Sequence, residues 1–465
     1  MRVLDTLSGK KREIKASKKG LKLFVCGPTV YDYSHIGHAR TYIIFDAFVK
    51  YLRFLSFKVF YLQNITDIDD KIINRAKEQR INPFSLAKKF ENEYFKDLKG
   101  LKITSVNKYA KASKFIPQIV DQIKRLIKKG HAYKIEGDGY YFDVSTFPRY
   151  GKLSKRTTEQ ANDAVSRIDE NIKKRNKADF CLWKFYKKGA PFWNTGLGKG
   201  RPGWHIEDTA ITEKYFGPQY DIHGGAVDLK FPHHEAEIAQ QESASGKKPF
   251  VKIWMHTGFL LVNGEKMSKS LKNFITIREF LKKNSADDLK IIVLSRHYRS
   301  PVDYNEKVLR QAKNSLRNFQ EFIMKLEFLE LRAKNKNLTT SAKQVLKKFE
   351  KNFHAVMQDD FNTPKALAEI FHLINQINPK IWRISKEDAK ALKAAITRFL
   401  GLFDITPRIP KIPPKIAKLA QKREILRRNE HFVPADDLRK QIERLGYKVE
   451  DTPFGPLVQK VKPKF

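Results

Sequence analysis

Residues 22–41 read KLFVCGPTVYDYSHIGHART. The apolar run KLFVCGPTV ends in a short polar loop. A helix-period stretch, HARTYIIFDAFVKYLRFL (38–55), follows, and then a second apolar run, KVFYLQNIT (58–66). Strand, helix and strand in that order predict a βαβ unit and an α/β fold with a doubly wound parallel sheet. Such a sheet binds ligands beyond the carboxyl ends of its strands, where helices begin. His35 and His38 stand three apart at that junction. The free N–H groups and partial positive charge of a helix start favour a phosphate there. Gly37 leaves room for a flat group such as an adenine, and two imidazoles can donate hydrogen bonds to phosphoryl oxygens as charge develops. The same residues also suit a helix start with no ligand, and the stretch alone does not separate the two readings.

Working outward, residues 1–95 are expected to form the first half of this Rossmann-like domain. Residues 96–200 read as an insertion: lysine-rich helices, a hairpin-like YKIEGDGYYFDV, then polar loop. The α/β pattern resumes over 201–270 and is followed by a connecting region, 271–305, that would meet a nucleic-acid stem. Residues 306–403 have helical periodicity throughout, as in a helical bundle. The proline-rich TPRIPKIPPKI opens 404–465 as a stiff linker to a small basic domain.

The chain has 465 residues and 41% hydrophobic composition, enough for several folded domains. Lys and Arg number 91 against 51 Asp and Glu, a formal charge of +40 spread along the whole length. That field favours a polyanionic partner. No apolar run is long enough to cross a bilayer, the first residues lack an apolar signal core, and two cysteines are too few for a disulfide framework. A cytoplasmic protein without a membrane partner is expected.

A second stretch decides between the readings of the histidines. Residues 264–270 are GEKMSKS. Lys266 and Lys269, on a glycine-flanked loop, can neutralise the β- and γ-phosphates of a triphosphate. A KxxK loop alone is commonplace. HIGH (35–38) joined to KMSKS (266–270) resembles the class I aminoacyl-tRNA synthetases. FVCGPTVYDYSHIGHART, YLQNITDIDDKIINRA, RPGWHIED, DIHGGAVDLKFPHHEAEIAQ, MHTGFLLVNGEKMSKSL and the C-terminal ADDLRKQIERLGYKVEDTPFGP narrow the resemblance to the cysteinyl-tRNA synthetases, in order and spacing along essentially the whole chain.

The resemblance implies activation of cysteine by ATP with Mg2+, transfer to tRNA(Cys), and a monomeric enzyme. It makes His35, His38, Lys266 and Lys269 catalytic. Gly37, Gly224, Gly225, Asp228 and Lys269 bind ATP, and Gly27, Thr29, Thr66, Trp204 and His205 line the cysteine pocket. It also implies one zinc ion per chain, which would prefer a thiolate to a hydroxyl where shape alone discriminates poorly. The matching ligand positions are Cys26, Asp208, His233 and Glu237. His233 and Glu237 are four apart, so one helix face presents both. Asp208 departs from the family, which usually has a second cysteine there. Cys181 lies elsewhere and reads as a packing cysteine, while His234 reads as an orienting or packing residue. Lys272 is a second departure, at a position where the family normally has glycine. Arg423, Arg427, Asp436, Arg439 and Asp451 are the candidate readers of the anticodon. Two other functions use some of the same features: an adenylate-forming cysteine ligase acting on a small amine, which needs no tRNA domain, and a non-catalytic tRNA-binding relative, which needs neither signature.

Overall fold

A computed structural model describes residues 1–15, 20–156, 173–268, 271, 273–333 and 338–461. Lys269, Ser270 and Lys272 lie outside the described residues. The chain divides into two compact units, Met1–Val308 with Met357–Thr363, and Leu309–Val356 with Pro364–Phe465.

The first unit is organised by a five-stranded parallel sheet: β1 (Leu21–Val25), β2 (Val59–Ile65), β3 (Lys108–Lys111), β4 (Tyr220–Ala226) and β5 (Val251–Thr257). Its order is β5-β4-β1-β2-β3, the doubly wound arrangement expected from the opening stretch. The order reverses between β1 and β4, which creates the crevice where such sheets bind ligands. Val25 pairs with Gly224 on one side and Gln63 on the other, so three strand ends line up there. Helix α1 (Ile36–Phe54) leaves this edge and buries Ile36, Ala39, Ile43, Phe45, Phe48 and Leu52. Helices α2 (Ile206–Phe216) and α3 (His233–Ser245) approach the same crevice and are buried along most of their lengths.

The insertion begins later than the sequence reading placed it. Residue 96 falls within a helix, Pro83–Gly100, and the chain adds β3 to the parallel sheet before leaving it. β3 is only four residues long and lysine-flanked, so its apolar pattern is too brief to show in the sequence. The inserted sheet is antiparallel and has five strands. Its first hairpin pairs Ala132–Ile135 with Gly139–Phe142, and Gly137 supplies the left-handed turn at φ +75°. Cys181 is buried against Ile135 and Tyr141, as a packing cysteine would be.

In the second unit, helices Glu306–Arg332, Thr340–Gln358, Thr363–Ile377 and Lys386–Gly401 come first. Phe349, Phe353, Phe399 and Phe403 form one aromatic core within it. Residues 405–413 have no regular secondary structure. Helices Pro414–Arg428 and Phe432–Arg444 and the hairpin Tyr447–Thr452/Gly455–Lys460 follow. Lys325 pairs with Glu450 at 3.1 Å, and Arg332 donates to the carbonyl of Phe454. The last segment is therefore part of this unit. Met357–Thr363, in contrast, belongs to the first unit, where Asp360 accepts from Leu4 N, Tyr298 Oη and Arg299.

Candidate active site

The HIGH residues cap their own helix. His35 is the N-cap of α1, and its Nδ1 accepts from Gly37 N at 3.1 Å. His38 Nδ1 accepts in turn from His35 N at 3.4 Å. The rings stack with centroids 3.8 Å apart. Burial lowers His35 to about 4; burial first, then the charges of His35 and Lys71, holds His38 well below its ordinary value. Both rings are therefore neutral, and because Nδ1 accepts in each, the proton sits on Nε2. The pair thus presents two Nε2–H donors at a helix N-terminus. Any Cβ on Gly37 would stand 2.8 Å from the His35 ring and 2.9 Å from the Met267 methyl. Gly37 is required by close approach of the second signature to the first.

The second signature is anchored at both ends. Asn263 N donates to the carbonyl of Tyr304, and Asn273 bridges the loop, accepting from Ser268 N at 2.8 Å and donating to the Lys266 carbonyl at 3.1 Å. Ile36 N then donates to the carbonyl of Ile275, and Ile277 N to that of Ser34. Lys266 Nζ lies 3.9 Å from the Phe259 ring centroid. The buried Arg40 guanidinium donates to the carbonyls of Phe259, Tyr298 and Ser300. Neither Asn273 nor Arg40 stood out in the sequence, because their partners are loop backbone far along the chain.

Beyond β1 the chain turns sharply. A Cβ on Gly27 would overlap the Asn64 carbonyl, and Thr29 bridges to Thr66. Thr66 donates its hydroxyl to the buried Glu207, so the pocket wall is fixed by a residue the sequence reading left unassigned. Gly224 and Gly225 leave space for Phe45 and His234 respectively; packing alone accounts for both glycines. Asp228 is exposed, just past the end of β4.

At the base of the crevice Cys26, Asp208, His233 and Glu237 converge, all buried, with one ligand atom of each within 4.8 Å of the others. The sequence-derived quartet is brought together. His233 Nε2 bonds Asp208 Oδ2 at 3.0 Å and lies 2.9 Å from Glu237 Oε1. One ring proton cannot align with both. Asp208 Oδ1 and both oxygens of Glu237 are buried with no hydrogen bond among the described residues. Burial, then Glu237 and Asp208, pushes the Cys26 thiol well up. Burial opposes a charge on His233, yet Glu237 and Asp208 together raise it. Sulfur, nitrogen and two carboxylates in one buried spot, with surplus negative charge, suit a borderline divalent cation and not an all-oxygen cage.

Two supports hold this quartet. His205 Nδ1 meets His233 Nδ1 at 2.8 Å, and Trp204 stacks on His233 with centroids 4.6 Å apart. His205 is itself buried. Cys26 Sγ is also met by His223 Nε2 at 3.3 Å and His234 Nε2 at 3.1 Å. These two histidines continue to Tyr220 Oη at 2.7 Å and to His256 at 2.9 Å, and His256 to Thr6 at 2.9 Å. Burial lowers the pKa of His223, His234 and His256. His223 and His234 with Cys26 and Glu237 make a second four-donor set, which the sequence reading did not foresee.

The anticodon candidates fall apart into two kinds. Arg423 is buried and makes a two-pronged pair with Asp451, while Arg427 pairs with Glu424 at 3.1 Å. Asp436 and Arg439 are exposed, beside Phe432 at 59% exposure.

No described helix is long and apolar enough to cross a membrane. Residues 13–314 match the family described as tRNA synthetases class I (C) catalytic domain, and residues 352–405 match the DALR domain. The chain is 44% identical to the cysteine–tRNA ligase of Thermoplasma acidophilum, covering 97% of this chain and 98% of that one. It is 41% identical to the cysteine–tRNA ligase of Persephonella marina, with 98% of each covered. Among solved structures it resembles Mycobacterium tuberculosis methionyl-tRNA synthetase in complex with methionyl-adenylate: TM-score 0.60, 16% identity, 83% of this chain and 89% of that one. The parallel sheet, the paired signatures and near-complete coverage of these relatives lead to one assignment: the chain belongs to the cysteine–tRNA ligases, class I aminoacyl-tRNA synthetases that load cysteine onto tRNA(Cys) with ATP.

Proposed function

We propose that this enzyme selects cysteine through one zinc ion per chain, held by Cys26, Asp208, His233 and Glu237, and forms cysteinyl-adenylate between its two signatures. A zinc ion there would supply a soft Lewis-acidic position that accepts a thiolate in preference to a hydroxyl. The observation that carries this reading is the meeting of four donor atoms within 4.8 Å while three carboxylate oxygens have no hydrogen bond among the described residues.

The surrounding residues have distinct roles in this reading. His205 and Trp204 hold the His233 ring. With Cys26 as thiolate, both hydrogen-bond chains run towards sulfur: Tyr220 to His223 to Cys26, and Thr6 through His256 and His234 to Cys26. Gly27, Thr29 and Thr66 shape the amino-acid end, and Gly224, Gly225 and Asp228 lie at the strand end that faces the ribose. The cysteine carboxylate attacks the α-phosphorus of ATP, and pyrophosphate leaves. The Nε2–H groups of His35 and His38 donate to phosphoryl oxygens in that step, while Lys266 and Lys269 neutralise the departing charge; Mg2+ bound with ATP would supply further positive charge there. The terminal ribose hydroxyl of tRNA then attacks the carbonyl and releases AMP. In this reading Asp436, Arg439 and Arg427 meet the anticodon, and Arg423 and Asp451 hold that surface in shape. The enzyme acts as a cytoplasmic monomer in this reading, and neither Cys26 nor Cys181 is in a disulfide.

Metal analysis of the purified protein tests the zinc assignment. Wild type should carry one zinc per chain. Asp208→Ala should lose metal and cysteine-dependent pyrophosphate exchange together. Asp208→Cys should keep exchange and retain metal longer against a chelator, since thiolate sites hold zinc more tightly. Metal-free wild type with full cysteine activation would refute the reading.

A further inference from the structure

A cavity of about 360 Å³ opens one residue beyond Thr66. It lies between β3, the helix Pro83–Gly100 and the edge strand Trp193–Thr195 of the inserted sheet. Neighbouring strands in a sheet are about 4.8 Å apart, so its floor at the end of β3 is roughly 10 Å across the sheet from Cys26 at the end of β1. Asp67 accepts from Ser113 N at 2.9 Å and Ser113 Oγ at 2.6 Å, which fixes the floor. Phe84, 44% exposed, and Trp193 form an edge-to-face pair with centroids 6.0 Å apart. Around them stand three ammonium groups. Lys88 and Lys111 share the single carboxylate of Glu91, at 3.3 and 2.8 Å, and the exposed Lys114 completes the rim.

We propose that this cavity receives the unpaired nucleotides just before the terminal adenosine of the tRNA 3′ end. One base stacks on the Trp193–Phe84 pair, and the flanking phosphates meet Lys88, Lys111 and Lys114. Aromatic faces beside lysines are the chemistry that binds single-stranded nucleic acid without a sequence-specific hydrogen-bond code. The terminal ribose must reach the adenylate beside Cys26 and Thr66, and the cavity lies on the same carboxyl edge of the sheet at a distance that a nucleotide or two spans. Glu91 half-neutralises the lysine pair, so the lysines are held in place while positive charge remains for phosphate. The proposal rests on the reading of the Thr66 side of the crevice as the amino-acid end of the site.

The test uses the full-length enzyme with two assays and two RNAs. Pyrophosphate exchange involves no tRNA and should stay within twofold in Trp193→Ala. Charging of tRNA(Cys) should lose about 10- to 100-fold in kcat/KM, the range for removing one base–aromatic stack. Trp193→Phe should recover most of it. Binding of tRNA trimmed of its last three nucleotides should be equal in wild type and Trp193→Ala, while intact tRNA should discriminate between them. Lys114→Glu, at an exposed position ending a short 3-10 turn after β3, should also weaken charging, by an amount that shrinks as salt rises. Equal weakening with trimmed and intact tRNA would overturn the proposal, as would unchanged charging in Trp193→Ala and Lys114→Glu. Loss of exchange in Trp193→Ala would place the cavity in the activation step and also overturn it. Loss of exchange in Thr66→Ala, by contrast, bears only on the amino-acid end.

Discussion

Gly37→Ala isolates the contact between the two signatures. An added Cβ would stand 2.8 Å from Cε1 and Nδ1 of His35 and 2.9 Å from the Met267 methyl, where ordinary contact begins at 3.4 Å. The His35 ring must therefore retreat by about 0.6 Å, along with the loop residue beside it. A misplacement of about 1 Å at a reacting centre costs on the order of a hundredfold in rate, so about 0.6 Å should cost tenfold or more. Stability should respond differently. Alanine is favoured over glycine within a helix by roughly 0.5–1 kcal/mol, which offsets part of the crowding, and the melting temperature should move by no more than a few degrees. The assay is cysteine-dependent pyrophosphate exchange at saturating cysteine with ATP varied, beside a thermal melt. A variant with wild-type exchange would refute the argument that the placement of His35 against Met267 matters for the phosphates. A large fall in melting temperature alongside lost exchange would trace the effect to folding instead.

Two further outcomes follow from charge and protonation. Deleting residues 405–465 removes a segment with 15 Lys and Arg against 7 Asp and Glu; exchange should persist, because its residues lie in the other unit, while charging falls steeply and its salt dependence becomes shallower. Equal loss in both assays would show that the segment is needed for folding. His35, lowered by burial to about 4, takes up its proton in the unfolded chain near pH 6.5; the unfolded state therefore binds more protons between those values, and His35 should make stability fall as pH drops from about 6.5 towards 4. In a comparison of wild type with His35→Asn, that slope should shrink in urea titrations at pH 7 and pH 5, and an unchanged slope would remove His35 as its source.

The sequence was most informative where chemistry depends on neighbours along the chain. HIGH, KMSKS and the four-residue spacing of His233 and Glu237 are local patterns, and the βαβ period around them is strong. The chain from Thr6 through His256 and His234 to Cys26 joins residues up to 250 positions apart, and no local spacing announces it. Glu207 was hidden for a similar reason: it sits on helix α2, and its partner Thr66, just past β2, is 141 positions away. The late start of the insertion was missed because β3 is short and polar at its ends. Arg423 illustrates a further limit, since its sequence position does not reveal that Asp451 buries it.

The carbonyls held by Arg40 make helix α1 a lever common to both signatures. Phe259 precedes the phosphate loop, and Tyr298 and Ser300 lead into the strand that backs it. At the far end Ile275 and Ile277 are stitched to Ser34 and Ile36. Both roots of the loop are thus bolted to the helix whose first turn carries His35 and His38. A shift of that helix carries the two signatures together, so a change that frees the Arg40 guanidinium would spoil their mutual register without touching either one.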